Sequence, residues 1–455
     1  MNRSPERTSA RPFLERFFPS LARPARVTTR HSADADHVIS LCRTLLSERG
    51  ELSGARLATD VVAAYRSLDP AGLDAFFNAL AREFSPDPIA VTAAAAAYTA
   101  DTSAVNLIRL QKAIEPPRQE LFRRFNMAPG GIGALVDMRR LLLQTLSTRP
   151  ERVGVDADLS HLFRSWFNRG FLVLQRIDWG TSALVLERLI RYEAVHEIHG
   201  WRDLRRRLEA DRRCYAFFHP ALPDEPLIFI EIALTRGVPD RVQPLLDPDA
   251  PVVDPAGANC AVFYSITTCQ EGLRGISFGN FLIKQVAEDL GRGFAGLRTF
   301  ATLSPVPGFV DWLRQRDRKL PRPLSSELAA ALEELGRGDP AAMTLALRPH
   351  LRQEISRLGA YYLLKGKRAR APLDSVARFH LANGARLDRL NWMGDMSSAG
   401  LRRSLGLTVN YVYRLSDLER NHESYAKNFD VVASRAFHRL ASEASADDDH
   451  RTPAA

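Results

Sequence analysis

Few residues of this chain combine a reactive side chain with a rigid setting, and Ser304 is one of them. In "FATLSPVPGF" (300–309) an apolar run ends at this serine, and prolines follow at 305 and 307. Each proline lacks a donor N–H and has a fixed φ, so Thr299–Leu303 is expected as a strand that stops at a hydroxyl held in a stiff turn. His380, in "VARFHLANGARL", closes a second apolar segment ahead of an Asn-Gly turn. Its imidazole titrates near neutrality and suits proton transfer. Taken alone, either residue also reads as an ordinary strand end: a turn serine, a hydrogen-bonded histidine. The Gly-rich stretch "QEGLRGISFGN" (270–280) feeds a helix. Free N–H donors and the positive dipole end at such a place suit a pyrophosphate, and a plain tight turn fits the same residues. Neither GK[ST] nor G-x-G-x-x-G occurs there. His196 and His199 of "HEIHG" could share a helix face as metal ligands, but no third ligand stands nearby, and no metal site is expected. A G-x-S-x-G nucleophile elbow is also missing.

Two kinds of element must position these groups. The first third reads as helix. In "SLDPAGLDAFFNALAREF" (67–84), Leu73, Phe76, Phe77, Leu80 and Phe84 fall on one helical face, with Asp69 and Pro70 as cap and first-turn proline. "NMAPGGIGALVDMRRLLLQTL" (126–146) resumes with Leu135, Met138, Leu142 and Leu146 on one face. From about residue 170 strands and helices mix. "FLVLQRI" (171–177), two runs within "CYAFFHPALPDEPLIFIEIAL" (214–234), "CAVFYSIT" (260–267) and stretches near 375–380, 386–392 and 408–415 read as strands. "FGNFLIKQVAEDLGRGF" (278–294) and "SELAAALEELGRG" (326–338) read as helices. The expected fold class is therefore α+β and multidomain, an all-helical N-terminal domain followed by a mixed α/β catalytic domain. The expected limits are a disordered basic leader at 1–35, a helical domain at 36–168, a catalytic domain at 169–440 and a disordered tail at 441–455.

Composition narrows the function classes. The chain has 455 residues, enough for two or three domains, with 45% apolar and 25% charged residues. No apolar run is long enough to cross a membrane, so no membrane partner is expected. The net charge is +9, and residues 1–30 hold seven arginines against two glutamates. That segment reads as a disordered leader, with an organelle transit peptide as the alternative. No basic stripe is interleaved with aromatics, so nucleic acid is not an expected partner. Cys42, Cys214, Cys260 and Cys269 are scattered without a CxxC, which implies a reducing, cytoplasmic setting without a disulfide framework.

The Gly-rich loop resembles the Arg/Gln-x-x-Gly-x-Gly loop of GNAT-type acyl-CoA enzymes, as Arg274, Gly275, Ile276, Ser277, Phe278 and Gly279, with Ser277 in place of the first glycine. Several longer motifs occur in order: "APGGIGALVDMR", "YEAVHEIHGW", "PDEPLIFIEIAL", "FYSITTCQEGLRGISFGNFLIKQVAEDL", "FATLSPVPGFVDWL", "VARFHLANGARLDRLNWMGDMSSAGLRRSLGLTVNYVYRL" and "NHESYAKN". Together, over about 126–430, they resemble the malonyl-CoA decarboxylase family. The resemblance implies a GNAT-like catalytic domain, conversion of malonyl-CoA to acetyl-CoA and CO2, no cofactor, and a homo-oligomer, a tetramer. It places the catalytic serine on Ser304, the catalytic histidine on His380, supporting positions on Ser265 and Tyr413, and the acyl-CoA loop on Arg274 to Asn280. Some relatives carry an acid where this chain has Ser277.

On that basis Ser304 is expected to orient the malonyl carboxylate, His380 to protonate the nascent carbanion, and Tyr413 to orient His380 or the thioester. Oxyanion donors are expected from the strand bearing Ser265 or from the loop near Arg274. Two other functions fit a GNAT-like acyl-CoA site: an acyltransferase with an amine acceptor, and a catalytically inactive acyl-CoA sensor.

Overall fold

A computed structural model describes residues 31–47, 51–276, 278, 282–315, 320–337 and 349–445. The expected leader therefore lies outside the described residues up to position 30, as do Ser277, Gly279 and Asn280 of the Gly-rich loop.

The chain divides into two compact units, 1–134 with 148–155, and 135–147 with 156–455. The first is helical, as the spacing of its apolar residues requires. Asp69 accepts the Gly72 N–H (2.7 Å) and Pro70 opens the helix Pro70–Arg82. The Asp-Pro pair recurs at Asp87–Pro88, where Asp87 accepts from Ile89 (3.0 Å) and starts Pro88–Ala100. Phe76, Phe77 and Leu80 are buried together with Phe122 and Phe125 of the helix Pro117–Phe125. The Tyr65 ring lies 5.5 Å from that of Phe76 and 6.4 Å from that of Phe125. Phe76→Ala is expected to cost about 3–5 kcal/mol, the usual range for deleting a fully buried aromatic ring. A lower midpoint in chemical unfolding followed by helical circular dichroism is the check.

The second unit is built on an eight-stranded sheet. Its strands are β1 (Val173–Ile177), β2 (Arg212–Phe218), β3 (Ile228–Thr235), β4 (Cys260–Thr268), β5 (Thr299–Thr302), β6 (Ser304–Pro305), β9 (Arg386–Asn391) and β10 (Thr408–Tyr413). A separate hairpin pairs β7 (Lys367–Arg368) with β8 (Ala371–Pro372). The order is β1-β2-β3-β4-β5-β10-β6, with β9 also paired to β10. All neighbours are antiparallel except β4 and β5, which are joined by the Gly-rich loop and the helix Leu282–Gly293. A strand–helix–strand crossover between parallel neighbours is what the acyl-CoA loop reading needs. Val185, Leu186 and Leu189 of the helix Ala183–Tyr192 pack with Cys214, Ala216, Phe218 and Phe229 in one core cluster. A helical region followed by a mixed α/β sheet domain is thus the fold, as expected.

Several local expectations differ from the structure. Residues 375–380 form a helix, Ser375–Ala382, rather than a strand. Asp374 caps it by accepting the Ala377 N–H (2.9 Å), a signal that the apolar run "VARFHLA" masks. Pro305 does not end the ladder. It pairs opposite Thr408 of β10, in a two-residue strand where its missing N–H leaves no gap between central strands. His196 and His199 share no helix face: they lie in the loop between Tyr192 and Trp201, the first buried and the second exposed. The last helix runs to Glu443 with Ala441 and Ala444 buried, so residues 441–445 belong to the folded unit rather than to a tail.

Candidate active site

Ser304 and His380, 76 positions apart, meet in the interior of the sheet unit. Ser304 is 6% exposed and His380 3%. Ser304 Oγ lies 3.0 Å from His380 Nε2, and Tyr413 Oη lies 2.6 Å from His380 Nδ1. Ser304 Oγ donates to Thr302 Oγ1 at 2.8 Å, and that oxygen also accepts the Tyr411 N–H at 3.2 Å. The proton positions follow from this count. With its own hydrogen given to Thr302, Ser304 receives the hydrogen on Nε2, and Nδ1 accepts from Tyr413. The result is a continuous chain of phenol, imidazole and two hydroxyls.

Local structure explains each placement. Strand alternation puts Thr302 and Ser304 on one side of the β5–β6 line. It likewise puts Tyr411 and Tyr413 of β10 on one side, both toward His380. The Tyr411 ring stacks on the imidazole at 4.4 Å between centroids, and the Tyr413 ring meets it edge-on at 6.0 Å. The helix capped by Asp374 carries His380 over this surface. Asn410 Nδ2 donates to the Thr302 carbonyl (2.7 Å), which holds the turn between β5 and β6. Burial alone pushes the His380 imidazole down to about 3, and it raises the Tyr413 phenol well above its ordinary value. Both groups are therefore neutral across the physiological range.

A chamber of ≈ 190 Å³ opens on this chain, lined by Ser304, His380, Val195, Phe263, Ile266 and Phe379 among others. A second cavity of ≈ 490 Å³ shares Thr268 and Phe379 with it and is lined by Arg274, Gly275, Ile276 and Phe278 of the Gly-rich loop. The loop is braced from behind. Arg139, 4% exposed, donates to the carbonyls of Gly272 (2.7 Å) and Arg274 (2.9 Å) while paired with Asp156 (2.8 Å). A Cβ on Gly272 would stand 1.9 Å from the Val136 carbonyl oxygen, so only glycine permits this approach. Gly275 has a φ of +79°, another position that glycine suits.

Of the residues singled out from sequence, Ser304, His380 and Tyr413 are brought together, and Arg274, Gly275, Ile276 and Phe278 line the adjoining cavity. Ser265 is elsewhere. Its Oγ lies 2.8 Å from both carboxylate oxygens of Glu193, and it does not reach Ser304 or His380. Sequence reasoning missed Thr302, Tyr411, Arg139 and Glu193. For Arg139 the signal available was a charged residue inside a helix read only for its apolar face, and for Glu193 its place in "YEAVHEIHGW", a motif carried by the resemblance.

The parallel β4–β5 pair, the braced loop and the buried hydroxyl–imidazole chain define an α/β enzyme with a helical N-terminal region. The malonyl-CoA decarboxylase C-terminal domain family matches residues 170–451, and the N-terminal domain family of the same enzymes matches 84–167. A goose (Anser anser anser) protein, malonyl-CoA decarboxylase, mitochondrial, is 31% identical over 90% of this chain and 88% of its own length. The crystal structure of malonyl-CoA decarboxylase from Rhodopseudomonas palustris is 49% identical, with a TM-score of 0.82 over 89% of this chain and 99% of that one. That from Agrobacterium vitis is 48% identical, with a TM-score of 0.81 over the same shares. This chain belongs to the malonyl-CoA decarboxylase family, and with it to the carboxy-lyases. No helix among the described residues is long and apolar enough to cross a membrane.

Proposed function

We propose that the chain decarboxylates malonyl-CoA to acetyl-CoA and CO2 in the Ser304–His380 chamber. The observation that carries this reading is that Ser304 and His380, with Tyr413 bonded behind the imidazole, line a chamber that shares walls with the Gly-rich loop cavity. The phosphate-bearing arm of the thioester lies against Arg274, Gly275, Ile276 and Phe278, and the malonyl group enters the chamber. On substrate entry the Ser304 hydroxyl turns its hydrogen from Thr302 to the malonyl carboxylate, and together with the His380 Nε2–H it holds that carboxylate out of the thioester plane. The C–C bond to the carboxylate then breaks, its electron pair moves to the thioester oxygen as an enolate, and CO2 leaves. A proton from His380 Nε2 goes to the α-carbon as Nδ1 takes the Tyr413 proton; the Nδ1 proton then returns to the phenolate and Nε2 takes a proton from solvent through the chamber, which restores the starting tautomer. One proton is consumed overall.

The low basicity of His380 suits this sequence. An imidazolium beside the malonyl carboxylate would stabilise the reactant, whereas a neutral ring in a largely apolar chamber leaves that charge poorly solvated. The enolate carbon is basic enough to take a proton from a neutral N–H. Oxyanion donors we assign to the loop near Arg274, because the Ser265 side chain is turned onto Glu193.

Malonyl-CoA supplied alone, with products read by mass spectrometry, tests the reading. Acetyl-CoA without any acceptor is expected. Free CoA appearing only with an amine would make the chain an acyltransferase, and unchanged malonyl-CoA a sensor. Arg139→Met should raise KM for malonyl-CoA about tenfold with a smaller change in kcat. It removes two hydrogen bonds from a charged donor, each worth about 1.5–3 kcal/mol, that hold the loop rather than the reacting atoms.

A further inference from the structure

Glu193 ends the helix Ala183–Tyr192 and takes no part in the chemistry above, yet its carboxylate collects four hydrogen-bond donors. Its Oε1 accepts the N–H groups of Val195 (2.8 Å) and His196 (2.7 Å). Ser265 Oγ stands 2.8 Å from both oxygens, and Thr267 Oγ1 donates to Oε2 at 3.2 Å. Ser265 and Thr267 are alternate residues of β4, so one face of that strand grips the carboxylate. Glu193 is 7% exposed. A buried charge with this many donors costs little only if all of them stay in place, so the group fixes the backbone of 193–196 against β4.

What that backbone carries is Val195. The valine lines the ≈ 190 Å³ chamber with Ser304 and His380, and it also lines a cleft of ≈ 1120 Å³ bordered by Glu193, His196 and Gln243. Val195 is therefore the partition between a small chamber and a much larger space. The chamber's size on that side depends on one β-branched side chain and on the carboxylate that holds its peptide.

We propose that Glu193, anchored by Ser265 and Thr267, is a positioning residue that sets Val195 as the wall limiting the chamber to an acyl unit without a substituent on its α-carbon. The assignment rests on the decarboxylase reading. It also gives Ser265 a role at one remove from the reacting atoms. An α-methyl group on a malonyl unit held by Ser304 and His380 meets this wall, and a single methylene in a tight apolar site changes selectivity by about 10–200-fold.

The experiment uses the full chain with malonyl-CoA and methylmalonyl-CoA, measuring acetyl-CoA and propionyl-CoA. The readout is the ratio of kcat/KM for the methylated over the unmethylated substrate. Val195→Ala should raise that ratio about tenfold or more. Glu193→Gln should move it the same way, and the double variant should exceed Val195→Ala by little, because both lose one wall. If Glu193→Gln does not fold by circular dichroism, Ser265→Ala takes its place with the same expectation. An unchanged ratio in Val195→Ala overturns the proposal. So does a Glu193→Gln enzyme that slows equally on both substrates, since a merely structural carboxylate would do that. A wild-type chain that makes no acetyl-CoA from malonyl-CoA removes the underlying reading instead, and is told apart by that blank.

Discussion

Ser304→Ala should lower kcat for malonyl-CoA by about 10² or more while leaving the fold intact. The hydroxyl is the junction of two hydrogen bonds, to Thr302 Oγ1 at 2.8 Å and with His380 Nε2 at 3.0 Å. Removing it deletes the group we assign to the malonyl carboxylate and leaves the imidazole N–H without its partner. The loss falls on orientation, where a displacement of about 1 Å can cost about 10² in rate. It should therefore appear in kcat more than in KM, since we assign the CoA arm to the other cavity. Stability should change little by comparison, because the alanine still fills the turn between β5 and β6 and Thr302 keeps its bond from the Tyr411 N–H. Steady-state kinetics beside a melting curve separate the two. Turnover within a few-fold of wild type would take Ser304 out of the mechanism.

How far the sequence foretold this site depends on what kind of signal each part carries. Apolar periodicity located β2, β3, β4 and β10 and the helix Leu282–Gly293 because a buried strand or an amphipathic helix must alternate in a fixed way. It failed at 375–382, where "VARFHLA" is apolar enough to read as a strand and the Asp374 cap was overlooked. It also failed at Pro305, because whether a proline breaks a ladder depends on which side its missing donor faces, and only the pairing with Thr408 answers that. The pairing of Ser304 with His380 came from resemblance alone, since no local spacing links residues so far apart. Tyr411 and Thr302 were invisible for a related reason. They act through strand register, which brings alternate residues of β10 against β5 and β6, and register is a tertiary fact. Ser265 shows the opposite error. A position carried over by motif reaches Glu193 rather than the imidazole, so likeness of sequence located a strand but not the direction of its hydroxyl.

His380→Asn should lower turnover by about 10² or more, the usual contribution of a positioned proton donor, and two pH experiments should identify the reason. In the wild type, burial holds the imidazole down at about 3. The acid limb of kcat/KM, which reports the free enzyme, should therefore show no ionisation near 6.5, the ordinary histidine value. A limb centred there would place a titrating imidazolium in the mechanism and contradict the neutral-donor scheme. The same burial has a consequence for stability. An unfolded chain binds a proton at this residue below about 6.5 while the folded chain does not until about 3. Within that window the unfolded state holds the extra proton, so stability falls as pH falls, by up to about 1.4 kcal/mol per unit from this group. Asparagine has no such ionisation. The stability difference between wild type and His380→Asn, measured by urea unfolding at pH 7 and again at pH 5, should thus shift in favour of the variant by about 2 kcal/mol. Other groups titrate alike in both proteins and cancel. A difference independent of pH would mean that the imidazole is hydrated in the folded chain, and the neutral donor at the head of the Ser304 chain would have to be abandoned.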